Sequence, residues 1–331
     1  MRARLRVVEA GPLCTVQDAG RPGLMRFGVP QSGPMDREAF ALANAALGNP
    51  EGAACLEISL GGLVLDCVEG SVSVALAGGG FRAQAAGTLR EGGSVFALRA
   101  GDRLALRPGD WGSWTVLAVA GRIAAPVWLG SAATHAIAGL GGGLLRPGLD
   151  LVVEDAALRP ERHGSLPALP RPSGLLRVTI GPQERFFLPG AVEALLGRSF
   201  RLSAARDRMG QRLEGDPLPV AALDMPSEPV LRGAVQVAGD GVATVLMADH
   251  QTTGGYPKIA TVIGPDLDAL AQMRAGEAVR FVAVTPAEAV GIARAAHEAR
   301  MTRLAAAAAP RNLSRLLAEA NLIGGVVDAR R

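Results

Sequence analysis

The sequence has one lysine among its 34 Lys and Arg residues, and one tyrosine within an aromatic content of only 4%. A core so poor in rings must be built from Val, Leu, Ile and Ala. The three cysteines, Cys14, Cys55 and Cys67, are odd in number and lack CxxC spacing, which argues against a disulfide framework or a cysteine zinc site and fits a reducing cytoplasm. His135, His163, His250 and His297 are scattered without an HExxH pair, so no metal ligand set is expected. A phosphate loop of the GxxxxGK[ST] type is excluded, because the only lysine follows Gly255-Tyr256-Pro257. "GLGGGLL" at 139 to 145 lacks the dinucleotide-binding order and reads as a turn, and Ser32 sits in "PQSGP" rather than in a GxSxG elbow. No apolar run reaches the ~18 residues of a membrane span, and Glu9 and Pro12 interrupt the basic opening before a signal-length run forms. The net charge of +3 comes from arginines mixed with nearly as many acids, with no basic block, which disfavours nucleic acid. A cytoplasmic protein that binds neither membrane nor nucleic acid is expected.

A length of 331 residues predicts two domains with ample core, and 43 Gly with 22 Pro predict many short strands. The first clear helix is "MDREAFALANAALGNPE", with Asp36 as cap, Phe40, Ala43 and Leu47 on one face, and Gly48 with Pro50 ending it. Strand-like runs surround it: "RLRVVEA", "LVLDC", "SVSVALAG", "SVFALRAG", "DRLALRPG", "TVLAVAG" and "PVWLGS". Such spacing predicts a barrel or sandwich. A Pro-rich stretch without either period marks a linker over 156–174, between a first domain at 1–155 and a second at 175–290. "LLRVTIGP" in the second half echoes "RLRVVEAGP" in the first. A short helix "PGAVEALLG" follows, then strands "SFRLSAA", "AVQVAGDGVATVLMA" with a hairpin at Gly239-Asp240-Gly241, "KIATVIG" and "AVRFVAVT". Thr285-Pro286-Ala287-Glu288 is a capping box that opens a helix running to Pro310, and "RNLSRLLAEANL" predicts one more helix in an extension over 291–331.

Two Gly- and Pro-rich stretches concentrate polar side chains. "TVQDAGRPGLMRFGVPQSGPMD" offers Gln17 to read an amide, Arg21 to clamp a carboxylate or carbonate, and Asp18 or Asp36 to handle a proton, with Ser32 and Gly33 beside them. Turn chemistry and helix capping are the competing explanations, the latter strong for Asp36. "DHQTTGGYPKIATVIGPDL" places Asp249, Gln251, Thr252, Thr253, Gly254, Gly255, Tyr256 and Lys258 between two strands. The lone lysine and lone tyrosine fall two positions apart there, and a surface lysine beside a hairpin is the plain alternative. Lysine changes its pKa on burial whereas arginine stays charged, so a lysine retained in an arginine-biased chain points to ammonium chemistry at a developing negative charge. The paired glycines allow close backbone approach to an anionic oxygen. In "ARDRMGQRLEGDPL", Arg206, Arg208 and Arg212 lie near Asp207 and Glu214. Exposed ion pairs are the default there, with Arg208 the one candidate to face a cleft.

"GPLCTVQDAGRPGLMRFGVPQSGPMDREAFALANAALGNPEGAACLE" resembles the opening signature of the biotin-dependent carboxyltransferase family. That family includes the C-type component of 5-oxoprolinase, the kinase-inhibitor antagonist, the second component of allophanate hydrolase and a domain of urea carboxylase. "LAVAGRIAAPVWLGSAATH", "VTIGPQERFF", "DRMGQRLEGDPL" and "DHQTTGGYPKIATVIGPDLDALAQMRAGEAVRF" continue the resemblance in order, from about residue 7 to 290. It implies a mainly β fold of two cyclophilin-like β-barrel domains with a few peripheral helices. It also implies a B-type partner subunit, an A-type subunit as well in 5-oxoprolinase, and ATP-dependent opening of 5-oxoproline to glutamate. Carboxyl transfer from biotin to urea or a similar amide is the alternative, and non-enzymatic binding of a kinase-inhibitor protein is another. Both substrates present an amide N–C=O, which implies Lys258, Tyr256, Asp18 and Asp249 as catalytic groups. Gln17, Arg21, Ser32, Gly33, Asn44, Arg208, Gln251, Thr252, Thr253, Gly254 and Gly255 would then bind substrate. ATP contacts are expected largely on partner subunits, and without a Met-Lys-Met site biotin is not expected on this chain. The sequence departs from the family pattern at Cys14, usually threonine, at Arg122 and Ala124, usually Gly and Asp, and at His250, where Arg or Gly is common.

Overall fold

The computed structural model describes residues 1–181, 183–221 and 225–310. In the first strand, Ala3–Ala10, Leu5 and Val7 are buried, while Arg4 and Arg6 turn outward to Asp150. This alternation places one face of the strand on a core. The strand lies between Leu63–Glu69 and Asp150–Glu154 in a seven-stranded sheet. A six-stranded sheet is centred on Ser71–Ala77 and Trp114–Val119. The latter strand is buried at every position, its one polar side chain, Thr115, donating to Ala77 O at 2.9 Å. Leu5, Val7 and Leu65 of one sheet share a single core with Val74 and Leu117 of the other.

Helix α1, Arg37–Leu47, packs on those two central strands. Asp36 caps it by accepting from Ala39 N at 2.8 Å, and Gly48 ends it at φ 64°.

In the second half, a seven-stranded barrel closes. Around it run Leu175–Ile180, Lys258–Val262, Ala234–Val237, Ala243–Leu246, Gly210–Glu214, Phe200–Arg206 and Ala278–Ala283. Closure comes from parallel pairing of Leu175–Ile180 with Ala278–Ala283, the other neighbours being antiparallel. The hairpin at 239–241 joins two of these strands as expected. Phe200 and Phe281 meet edge to face inside, with centroids 5.9 Å apart. Met35 and Trp114 of the first half belong to this second core, so the two halves share packing.

Helix α2, Ala191–Gly197, matches its expected segment. Helix α3, Gly264–Gln272, was not anticipated. Pro265 in its first turn and buried Leu267, Leu270 and Ala271 are its signals, hidden behind the preceding strand pattern. Helix α4, Pro286–Ala308, has the expected Thr285–Glu288 capping box and packs against α1, where Arg303 Nε donates to Glu38 at 2.6 Å. "RNLSRLLAEANL" lies outside the described residues.

One strand expectation is corrected. "PVWLGS" is a loop carrying an isolated Trp128–Ser131 bridge, because its carbonyls turn toward Arg21 rather than to a neighbouring strand. The 156–174 segment is partly ordered: Gly164–Ser165 pairs with Ser94–Val95.

Candidate functional site at the junction of the two halves

The two polar stretches meet across the junction. Gly20 and Gly33, both at φ 86°, let the 17–21 and 31–33 loops stack, since a Cβ on Gly20 would sit 2.7 Å from Gln31 O and one on Gly33 3.1 Å from Ala19 O. Asp18 ties these loops to residues 131–133. It accepts from Gly20 N, Ser131 Oγ, Ala132 N and Ala133 N at 2.8, 2.5, 2.6 and 3.2 Å. With so many donors, it organises the loop whatever else it does.

Arg21 is buried. Its guanidinium lies 4.8 Å from the Trp128 ring and donates to Trp128 O, Ser131 O and Ala133 O, while Nη1 has no partner. Burial lowers its pKa, against the attraction of Asp18 and Asp249. Gln17 is fully buried and donates to Thr15 Oγ1 and Thr134 O, leaving Oε1 unpaired. Asn44 is buried and engaged by Ala53 O, Cys55 Sγ and Asn49 Nδ2.

Arg208 joins the halves. It is 1% exposed, as are Glu57 and Asp249. Its Nε and Nη2 form a fork to Asp249 at 2.9 and 3.0 Å, Nη1 meets Glu57, and Nη2 also donates to Gly33 O at 2.6 Å. Burial alone would lower its pKa, but Glu57 and Asp249 hold it above the ordinary arginine range. Burial pushes the Glu57 carboxyl up, against the pull of Arg208 and of Met35 N, which donates to it at 2.6 Å. Arg208 departs from the exposed pattern, as its sequence context suggested, with its charge enclosed between two carboxylates, and Arg206 also departs from it, donating to Met273 O and Ser113 Oγ. Arg212, paired with Asp240 at the surface, fits the exposed pattern.

Beyond this junction lies the loop that ends in Lys258. Thr252 O accepts from Val230 N, and Thr253–Gly254 pairs with Glu228–Pro229. Gly254 faces Gln236, whose Nε2 a Cβ would approach to 2.6 Å. Gly255 has open space, its nearest neighbour being 3.7 Å away, so no contact requires glycine there. Gln251 donates to Gln236 Oε1 at 3.0 Å. Tyr256 is half exposed and lines a separate depression with Gln251 and Arg212.

The Lys258 side chain is 10% exposed, with Nζ 3.9 Å from Glu228 Oε2 and no hydrogen bond. That distance gives attraction without a bond. Burial lowers the ammonium pKa, and Glu228 opposes the shift. Gln183 braces the pair, accepting from Lys258 N at 2.8 Å and donating to Glu228.

Buried polar atoms nearly always find partners. Among the described residues, those left without one include Gln17 Oε1, Arg21 Nη1, Ser32 Oγ, Arg232 Nε and Lys258 Nζ, all on or beside the two candidate stretches. Buried polar atoms left free in this way give both stretches the means to bind a polar ligand. Sequence reasoning missed Glu57, Gln183, Glu228 and Arg232. Only Glu57 carried a signal, as a charge inside the apolar strand "CLEIS".

The chain matches the family described as carboxyltransferase domain, subdomain A and B, over residues 27–283. It is 35% identical over 290 residues to the C-type component of 5-oxoprolinase from Escherichia coli (strain K12), an alignment covering 86% of this chain and 93% of that protein. The crystal structure of TTHA0988 superposes with a TM-score of 0.76 at 38% identity, covering 85% of this chain and 55% of that one. The K. lactis urea amidolyase structure superposes at 0.78 with 25% identity, covering 90% of this chain and 20% of that one. The chain thus spans about half of the former and a fifth of the latter.

Proposed function

The chain belongs to the carboxyltransferase domain family, subdomains A and B, and we propose that it is the C-type component of an ATP-dependent 5-oxoprolinase, working with B-type and A-type partner subunits in the cytoplasm. The observation that carries this reading is the match to the E. coli C-type component along 93% of that protein's length. In the reaction, water adds to the lactam carbonyl, the C–N bond breaks, and the nitrogen takes a proton to give glutamate. Negative charge develops on the carbonyl oxygen as water adds. An ammonium held in a low-dielectric site without a competing hydrogen bond stabilises such an oxyanion, and Lys258 is in that state. Arg21 and Gln17, each with an unpaired buried atom, are assigned to substrate binding. Asp18 and Asp249 act through the loops they hold, Asp249 by fixing Arg208 against Gly33 O.

ATP is assigned to the partner subunits, in keeping with the sequence's lack of a phosphate loop, and no step here runs through it. No described helix is long and apolar enough to cross a membrane.

The test is ATP-dependent glutamate release from 5-oxoproline by the co-expressed complex, omitting each subunit in turn. Activity is expected to require this chain and to fall at least a hundredfold with Lys258→Met. Full activity of that variant in an assembled complex would refute the role of Lys258.

The likeness to K. lactis urea amidolyase favours a second reading, carboxyl transfer to an amide. Biotin would then arrive on another protein, because the sequence has no Met-Lys-Met attachment site. Transfer of carboxyl from a separate carboxybiotin protein to urea, without 5-oxoproline cleavage, would select it.

A further inference from the structure

A cavity of about 580 Å³ opens between α1, the loop before it and α4, a volume typical of small-ligand sites. Met301 and Leu304 of α4 give it an apolar wall, while Arg37, Arg232 and Arg300 bring positive charge to its lining. Glu51 is the one acidic residue in the lining.

The positive charges are unequally compensated. Arg37 pairs with Asp268 at 3.0 Å. Arg232 donates only to backbone carbonyls, Pro34 O at 3.1 Å and Met35 O at 2.7 Å, and its Nε is buried without a partner. Carbonyl dipoles solvate a guanidinium without cancelling its charge. Burial, then the neighbouring Arg37, lowers the Arg232 pKa to about 10, with Asp268 opposing. Arg300 has no hydrogen bond or ion pair among the described residues.

Ser32 supplies a second, independent sign. It lines the cavity, is 3% exposed, and its hydroxyl has no partner. It also holds φ at 56°, a left-handed conformation that a non-glycine residue keeps only when its surroundings impose it.

We propose that this cavity binds the carboxylate of a small organic acid. Arg232 and Arg300 supply the charge, Ser32 Oγ donates one hydrogen bond, and Met301 with Leu304 covers the apolar part of the ligand. The proposal rests on the 5-oxoprolinase reading only for the identity of the acid, 5-oxoproline or its product glutamate.

The test is calorimetric titration of the full chain with 5-oxoproline, glutamate, uncharged 2-pyrrolidinone and inorganic phosphate. Binding of at least one of the two acids, at least tenfold tighter than 2-pyrrolidinone or phosphate, is expected. Arg300→Met and Ser32→Gly should each weaken it about tenfold, and glycine at this φ removes the hydroxyl without adding strain. Absence of acid binding, equal affinity for 2-pyrrolidinone, equal affinity for phosphate, or insensitivity to both variants would overturn the proposal. The same variants in the co-expressed complex separate the two claims. An active complex whose calorimetric binding of both acids is unchanged by both variants removes this site and leaves the oxoprolinase reading intact. Variant-sensitive acid binding with no 5-oxoproline cleavage keeps the site and removes the reading.

Discussion

Replacing Arg208 by Met tests whether the junction depends on a compensated charge cluster. The guanidinium and its partners Glu57 and Asp249 are each 1% exposed, so the substitution strands two carboxylates in a dry interior and frees Gly33 O. Breaking a buried pair by removing one partner costs about 3–5 kcal/mol. The loss should grow with pH. Burial already raises the Glu57 carboxyl above its unfolded value, so its contribution to stability falls as pH rises through that window. Without Arg208 to hold it down, the window extends upward, and the penalty should be larger near pH ~8 than near pH ~5. Removing the remaining charge as well, in Arg208→Met/Glu57→Gln/Asp249→Asn, should recover more than half the loss, because uncharged groups need no counter-charge. Denaturant unfolding of the full chain at both pH values is the assay. A loss below about 1 kcal/mol for the single variant, or the same loss at both pH values, would refute the reasoning.

Lys258 can be titrated alone. Reductive methylation with labelled formaldehyde gives one side-chain dimethylamine signal, since there is no other lysine. Its midpoint in the folded protein should lie below that in denaturant, because burial outweighs Glu228. Stability should accordingly rise with pH between those two midpoints, and a folded midpoint at or above the unfolded one would contradict burial. Gln272→Leu should destabilise the chain by about 2–4 kcal/mol in denaturant unfolding. The amide accepts from Ser113 N and Trp114 N at 3.0 and 3.1 Å and donates to Asp36 and Trp114 O at 2.6 and 2.9 Å, all buried. Burial, then Asp268, raises Asp36 to about 7, and losing the Gln272 donor should raise it further. A cost under about 1 kcal/mol would show that water replaces those bonds.

Local chemistry was legible where it is complete within a few residues. The Asp36 cap, the Gly48 stop, the Thr285–Glu288 box and the 239–241 hairpin all formed where read, because caps and turns are closed by atoms nearby in the chain. "PVWLGS" failed because a composition suited to a strand cannot reveal that Arg21 claims its carbonyls from 107 or more positions away. Asp18 and Arg21 stand on glycine-tightened loops, as read from the sequence. Their partners, the amides and carbonyls of residues 128 to 133, carry no sequence signal because every residue has them.

By itself the sequence determined the β-rich class, the two candidate stretches, the peculiarity of a single lysine and, through its motifs, the family. Only the tertiary structure decided that Arg208 bridges Glu57 and Asp249, that Lys258 is buried beside Glu228, and that Ser32 and Arg232 border one basic cavity. The physical reason is distance along the chain. Glu57 and Arg208 stand 151 positions apart, and burial, which sets the energy of every charge here, is a property of the packed junction and of no segment alone.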